Sequence, residues 1–164
     1  MSGSLRDLFT FDPYELSLNF MTLAVAFVVT LPVGWDQQRS TRAAGIRTFP
    51  LVAVGAAAYV LLGRSALGDN PDAHSRLLQG LITGIGFIGG GAILKTRDRV
   101  RGTATAASLW STTAIGAAVA YGEIDVAILL SAMNFVLLRL LRPLRRRLTR
   151  GEVRDGLEEA PVES

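Results

Sequence analysis

The sequence predicts an all-α integral membrane protein, a bundle of about five transmembrane helices with its N-terminus outside and its C-terminus in the cytoplasm. Three observations predict this class. Hydrophobic residues make up 49% of the 164-residue chain and charged residues only 19%. The apolar residues gather in five stretches, four of them without any charge. The basic residues fall almost entirely on one of the two sides that five spans create.

The five predicted spans are residues 16–35, 48–63, 77–94, 102–122 and 124–141. At the helical rise of about 1.5 Å per residue they measure about 24 to 31 Å, close to the hydrocarbon thickness of a bilayer, about 30 Å. The first is not a signal peptide, because acidic residues precede it and no small-residue cleavage site follows it. We therefore expect a periplasmic segment (1–15), a transmembrane domain (16–142) and a cytoplasmic tail (143–164).

Arginine and lysine set the predicted orientation. The segments 35–47 and 95–101 and the tail from Arg139 onward carry 14 of the 17 basic residues, and the opposite side carries Arg6, Arg64 and Arg76. Loops rich in these residues stay in the cytoplasm. The outer side then holds a loop over residues 64–76, in which we expect His74 to be solvated.

Glycine crowds the third span. Close packing between helices is one interpretation, because Gly-xxx-Gly spacing lets helix backbones approach. The other is a broken or water-exposed helix lining a cavity. The glycines concerned are Gly80, Gly84, Gly86, Gly89, Gly90 and Gly91.

The fourth span carries a stripe of hydroxyl side chains. At 100° per residue, Thr105, Ser108, Ser111 and Thr112 fall within about 60° of one direction, and Trp110 points the opposite way. Such hydroxyls bond to a carbonyl one turn back or to another helix. We expect them to bond across to the glycine-rich span rather than to line a polar permeation path, and we expect Trp110 to pack between helices.

Charged residues cluster at the two predicted cytoplasmic turns. Asp36 is expected to pair with Arg42 or Arg47. The turns either simply follow the positive-inside rule with ordinary helix caps, or they hold an anion, a lipid phosphate or an acidic partner surface. The candidate residues are Asp36, Arg42, Arg47, Thr48, Lys95, Arg99, Arg101 and Gly102.

The arginine-rich start of the tail, Arg139 to Arg150, is expected to anchor the chain on anionic lipid rather than to bind nucleic acid. The chain has no cysteine and one histidine, and its polar residues form no catalytic constellation. We predict no catalytic residue, no metal site and no cofactor, and hence no enzyme. The narrow glycine faces favour a homo-oligomer.

Three blocks resemble the MgtC/SapB family of bacterial inner-membrane proteins. They are GWDQQRSTRAAGIRTFPLVAVGAA at 34–57, RLLQGLITGIGFIGGGAIL at 76–94 and VRGTATAASLWSTTAIGAAVAYG at 100–122. The resemblance implies a multi-pass protein of the bacterial inner (plasma) membrane. It also implies roles in adaptation to low magnesium, in virulence or intracellular survival, and in inhibition of the F-type ATP synthase.

Two features differ from the family pattern. The family commonly has Gly-x-Glu-Arg after the first helix, where this chain has Gly34-Trp35-Asp36-Gln37. Some members carry a C-terminal ACT-like domain, and this chain ends before one could form. The predicted function is a membrane regulatory protein that binds another membrane complex such as the F-type ATP synthase. The alternative is a transporter or channel for magnesium, another cation or a small solute, which the glycine-rich span and the hydroxyl stripe favour.

Overall fold

The described part of the chain forms five helices and one short hairpin. The computed structural model describes residues 12–40, 44–96 and 99–140, with positions 96 and 99 described by their backbone alone. The helices are α1 (Pro13–Ser40), α2 (Thr48–Leu67), α3 (Pro71–Gly91), α4 (Thr103–Tyr121) and α5, which covers residues 124–140. Strands β1 (Leu94–Thr96) and β2 (Arg99–Arg101) pair antiparallel between α3 and α4. The five predicted helices are confirmed, whereas most of the predicted segment 1–15 and the tail 143–164 lie outside the described residues.

The helices alternate in direction, so the bundle has two ends. We call the end with β1 and β2 the hairpin end and the end with the turns at Gly68 and Gly122 the loop end. The predicted loop 64–76 is mostly helical, and only residues 68–70 join α2 to α3. Asn70 starts α3, because its side-chain oxygen accepts from the amides of Asp72 and Ala73 at 3.1 and 3.2 Å.

Helix α4 lies at the centre of the bundle. It packs against α1, α2 and α3, and ten of its residues are buried. Two apolar clusters surround it. The cluster toward the loop end contains Ala26, Ala53, Ala57, Val60, Ile115, Ala117, Val119, Ala120 and Ala127. The cluster toward the hairpin end contains Val33, Phe49, Ile85 and Leu109. Because alanine dominates the first cluster, the helix backbones there can lie close together.

The glycines that make close contacts between helices are not those of the glycine-rich span. A Cβ added to Gly116 of α4 would collide with the backbone of Ala53 in α2. One added to Gly34 of α1 would lie 3.2 Å from the Cα of Ile46. At Gly63 of α2 it would collide with the side chain of Leu77. Gly116 is the one of these three that requires glycine for space, because the Ala53 backbone cannot move aside as the end of the Leu77 side chain can.

Most of the glycines of α3 face open space within this chain. A Cβ at any of them would meet no atom within 4 Å, a set that comprises Gly80, Gly84, Gly86, Gly90 and Gly91. Gly89 is the exception, since its Cβ would lie 3.6 Å from the carbonyl oxygen of Ala106 in α4. The Gly-xxx-Gly pairs Gly80/Gly84 and Gly86/Gly90 therefore do not make the close packing within the chain that their spacing predicts. The reason is that α3 turns only its Ile85 and Gly89 side toward the bundle.

His74 connects three helices at the loop end. Its Nδ1 lies 3.0 Å from the hydroxyl of Tyr121 and its Nε2 lies 2.7 Å from the carbonyl oxygen of Gly68. The predicted solvated position of His74 is wrong, because α3 begins at Pro71 and turns the imidazole toward α4. Arg64 of α2 adds a second link by donating to the carbonyl of Ala120 at 2.8 Å.

Among the described helices, α1 and α2 are long and apolar enough to cross a membrane, with mean hydropathy of 2.0 and 1.5. The outward faces of the bundle are strongly apolar. Phe20 is 71% exposed, Phe87 87% and Trp110 54%. Contiguous apolar surface of this kind marks contact with lipid or with another protein.

Substitution of Gly116 by alanine tests the close contact between α2 and α4. The added methyl group meets the Ala53 backbone, which cannot rotate away, so the two helices must separate. We expect the free energy of unfolding in detergent to fall by about 1–3 kcal/mol, the usual result of overpacking. Gly86→Ala is the matched control, since a methyl group there meets nothing. Equal stability of the two variants would contradict the packing described.

Candidate functional site

Six polar side chains are buried together in the hairpin-end half of the bundle. We call this set the polar cluster. Each is at most 9% exposed, although the interior around them is apolar. The members are Asp36 and Gln37 of α1, Thr105, Ser108 and Thr112 of α4, and Asn134 of α5.

Ser108 is the centre of the polar cluster. Its hydroxyl accepts from the side-chain amide of Gln37 at 3.2 Å and donates to the carbonyl of Ala104 at 2.8 Å. The backbone carbonyl of Ser108 accepts from the Asn134 amide at 3.4 Å and from the Thr112 hydroxyl at 2.7 Å. One residue of α4 thus binds side chains from both α1 and α5.

The hydroxyl stripe lies on a different interface from the one predicted. Thr105, Ser108 and Thr112 are buried, and the bonds of Ser108 and Thr112 run to carbonyls one turn back in α4 or to α1 and α5, not to the glycine-rich α3. Ser111, the fourth residue of the stripe, is partly buried. Trp110 points away from the stripe as predicted, but it is 54% exposed and does not pack between helices of this chain.

Asp36 is 4% exposed and belongs to the polar cluster. Arg42, one of its two predicted partners, lies outside the described residues, and Arg47, the other, is exposed at the start of α2. Gln37 and Asn134 are site residues that the sequence did not predict. Each is an amide side chain within or beside an apolar span, and such a group needs a hydrogen-bond partner when it is buried, so this pattern could have identified them.

Cationic side chains surround the hairpin end. Arg47, Lys95 and Arg101 are exposed there. The first amides of α2, at Thr48 and Phe49, donate to the carbonyl of Gly45 at 3.0 and 3.1 Å. These two amides are therefore not free to hold an anion, which was one of the two interpretations of this turn from the sequence. Gly102, with φ of 89°, starts α4 at a point where the carbonyl of Ala92 leaves no room for a side chain.

Two pairs of an aromatic and an arginine also lie at the hairpin end. The Arg39 guanidinium stands 5.0 Å from the ring centroid of Trp35 in α1. The Arg139 guanidinium stands 5.8 Å from the ring of Phe135 in α5. Aromatic rings beside basic groups are typical of a membrane interface.

An open groove runs between α2 and α3, and we call it the α2–α3 groove. Its volume is about 870 Å³. Every third or fourth residue of each helix lines it, and Thr113 of α4 also contributes. From α2 the lining includes Thr48, Leu51, Val52, Gly55, Ala56 and Tyr59, and from α3 it includes Leu77, Gly80, Leu81, Gly84, Ile85 and Ile88. Arg47 and Arg76 are the charged residues of the lining.

The remaining predicted residues belong to neither the polar cluster nor the α2–α3 groove. Gly86, Gly90 and Gly91 lie outside the groove lining. Arg99 is described by its backbone alone, in β2 opposite Thr96. In the described part of the chain, no group of three or more His, Cys, Asp or Glu side chains could hold a metal ion. The structure therefore offers the polar cluster and the α2–α3 groove as the two candidate sites.

A double-mutant cycle on Gln37 and Ser108 tests the polar cluster. We expect Ser108→Ala to lower the free energy of unfolding by about 1 kcal/mol, because the buried Gln37 amide loses this acceptor. Combined with Gln37→Leu, it should show a coupling energy of about 0.5–1.5 kcal/mol. Ser108→Ala paired with Ser17→Ala, near the other end of α1, should be additive. Zero coupling for the first pair would contradict the bond.

The family model described as the MgtC family matches residues 23–147. An uncharacterised protein of Synechocystis sp. is 39% identical, covering 79% of this chain and 55% of its own length. Protein SrpB of Synechococcus elongatus is 41% identical over 65% of each chain. No solved structure matches.

Protein MgtC of Brucella abortus is 39% identical, covering 74% of this chain and 50% of its own length. The chain thus spans about half to two thirds of the length of the curated relatives it matches. The family match covers most of the predicted transmembrane domain and all of the polar cluster. Together with the two candidate spans, it indicates a membrane protein. The chain belongs to the MgtC family.

Proposed function

We propose that this chain is a multi-pass protein of the bacterial inner membrane that regulates another membrane complex through direct contacts between helices. Family membership supports the membrane setting. The resemblance further suggests the F-type ATP synthase as the complex, and adaptation to low magnesium and intracellular survival as the processes served.

One observation carries the regulatory proposal. Polar residues of three helices are buried around Ser108 and bond to it, while large apolar side chains are exposed on the outside of the bundle. Ser108 bonds to residues of α1, α4 and α5, and Thr105 and Thr112 beside it are buried. The exposed rings of Phe87 and Trp110 face away from this core. Such an arrangement favours contact at the outward faces, with lipid or with a neighbouring protein, over conduction through the bundle.

The proposal places the hairpin end in the cytoplasm. Arg47, Lys95 and Arg101 are exposed there. Arg39, which lies over Trp35, and Arg139, which lies over Phe135, are at the same end. Positive charge of this density favours the cytoplasmic side. Asp69 and Glu123, by contrast, lie in the turns at the loop end.

Photo-crosslinking from the outward faces tests the proposed contact. A photoreactive amino acid at Phe87 or Trp110 should crosslink in living cells to a subunit of the membrane sector of the F-type ATP synthase. The same group at the buried Leu109, the matched control, should not. In inverted vesicles the chain should also reduce ATP-driven proton pumping. In a Trp110→Ala variant that still folds, this inhibition and the crosslink from position 87 should be lost together.

Two results would contradict the regulatory proposal. One is normal pumping in vesicles that contain the chain together with no crosslink from either outward position. The other is a saturable flux of magnesium or another ion into sealed vesicles that contain the purified chain alone. That flux would favour the transporter alternative instead.

A further inference from the structure

The structure leaves an apolar groove open between α2 and α3. The α2–α3 groove is closed toward the loop end, where Gly63 of α2 contacts Leu77 of α3. Inward from that contact, Gly55 of α2 and Gly80 and Gly84 of α3 have no neighbour within 4 Å of where a side chain would begin. The two helices thus stand apart along most of their length.

The dimensions of the groove limit what can occupy it. On α2 it extends from Thr48 to Tyr59, which is about 16 Å at 1.5 Å per residue. Its volume of about 870 Å³ lies between apolar walls and is open along the outward side of the two helices. The length also matches about half of a hydrocarbon core of about 30 Å. Acyl chains of one leaflet match this length and the apolar lining of the groove.

Charge distinguishes a lipid from a second copy of this chain. Arg47 stands at the hairpin end of the groove, and no acidic residue is among the described residues that line it. Copies in one membrane share their orientation, so the α1 or α5 of a second copy would bring Arg39 or Arg139 to the same end. The facing arginines would repel each other. A phosphate group is the complementary partner, since arginine binds phosphate oxygens through two parallel hydrogen bonds.

We propose that the α2–α3 groove binds the acyl chains of one anionic phospholipid from the leaflet on the hairpin side, with its phosphate at Arg47. The apolar walls remove the chains from the bulk bilayer, and the guanidinium selects the headgroup. Lys95 and Arg101 of the neighbouring hairpin add positive charge at the same level. The proposal rests on placement of the bundle in a bilayer but not on its regulatory action.

Native mass spectrometry of the full chain tests the groove. The protein is released from nanodiscs containing equal amounts of phosphatidylglycerol and phosphatidylcholine, and retained lipids are counted. We expect one retained phosphatidylglycerol in the unmodified chain and loss of most of it in Gly84→Leu, whose side chain fills the groove. Gly86→Leu is the matched control, because Gly86 has equal free space but does not line the groove. It should retain the lipid.

The headgroup preference tests the role of Arg47. We expect Arg47→Gln to weaken retention of phosphatidylglycerol about fivefold relative to phosphatidylcholine, the effect of removing one base near an anionic lipid. Arg64→Gln, at the loop end of α2 and outside the groove lining, should leave the preference unchanged. The proposal is overturned if Gly84→Leu and Gly86→Leu retain lipid equally, or if Arg47→Gln keeps the full preference. It is also overturned if Gly84→Leu instead converts a dimer into monomers, because a second copy then fills the groove.

Discussion

The architecture depends on the need of buried polar groups for hydrogen-bond partners in an apolar interior. Ser108 meets that need for three helices, since its hydroxyl accepts from Gln37 and its carbonyl accepts from Asn134. Sliding α1 or α5 by one turn along α4 would separate these atoms and leave amides unpaired. The polar cluster therefore fixes the register of α1, α4 and α5 and makes this side of the bundle rigid.

The side of α4 that faces α2 and α3 packs through small residues rather than through buried hydrogen bonds. There α2 approaches through small residues, with Gly116 against Ala53, and α3 touches α4 through Gly89 near Ala106. No interhelical side-chain bond holds α2 and α3 together near the hairpin end among the described residues, and the α2–α3 groove opens between them. The molecule thus has a hydrogen-bonded polar side, which holds its own helices together, and an open apolar side, where we propose the lipid site.

Periodicity and composition in the sequence predicted the five helices and the opposed positions of Trp110 and the buried hydroxyls. They did not predict what each helix face meets. Gly-xxx-Gly spacing shows that a face is narrow, but Gly84 lies on an open groove, while Gly116, which has no such prominence in the sequence, lies against a backbone. The position of His74 beside Tyr121 likewise depends on where α3 begins and α4 ends, which only the folded chain determines.

Placement of the bundle in a membrane with its hairpin end in the cytoplasm is the claim on which the proposed function and the lipid site both rest. Single cysteines test it directly, because the chain has none of its own. An impermeant thiol reagent applied to intact cells should label Asp69→Cys in the turn between α2 and α3, and should label Lys95→Cys in the hairpin only after the membrane is opened. Labelling of Lys95→Cys but not Asp69→Cys in intact cells would contradict the orientation, and recovery of the chain in the soluble fraction would contradict the membrane placement itself.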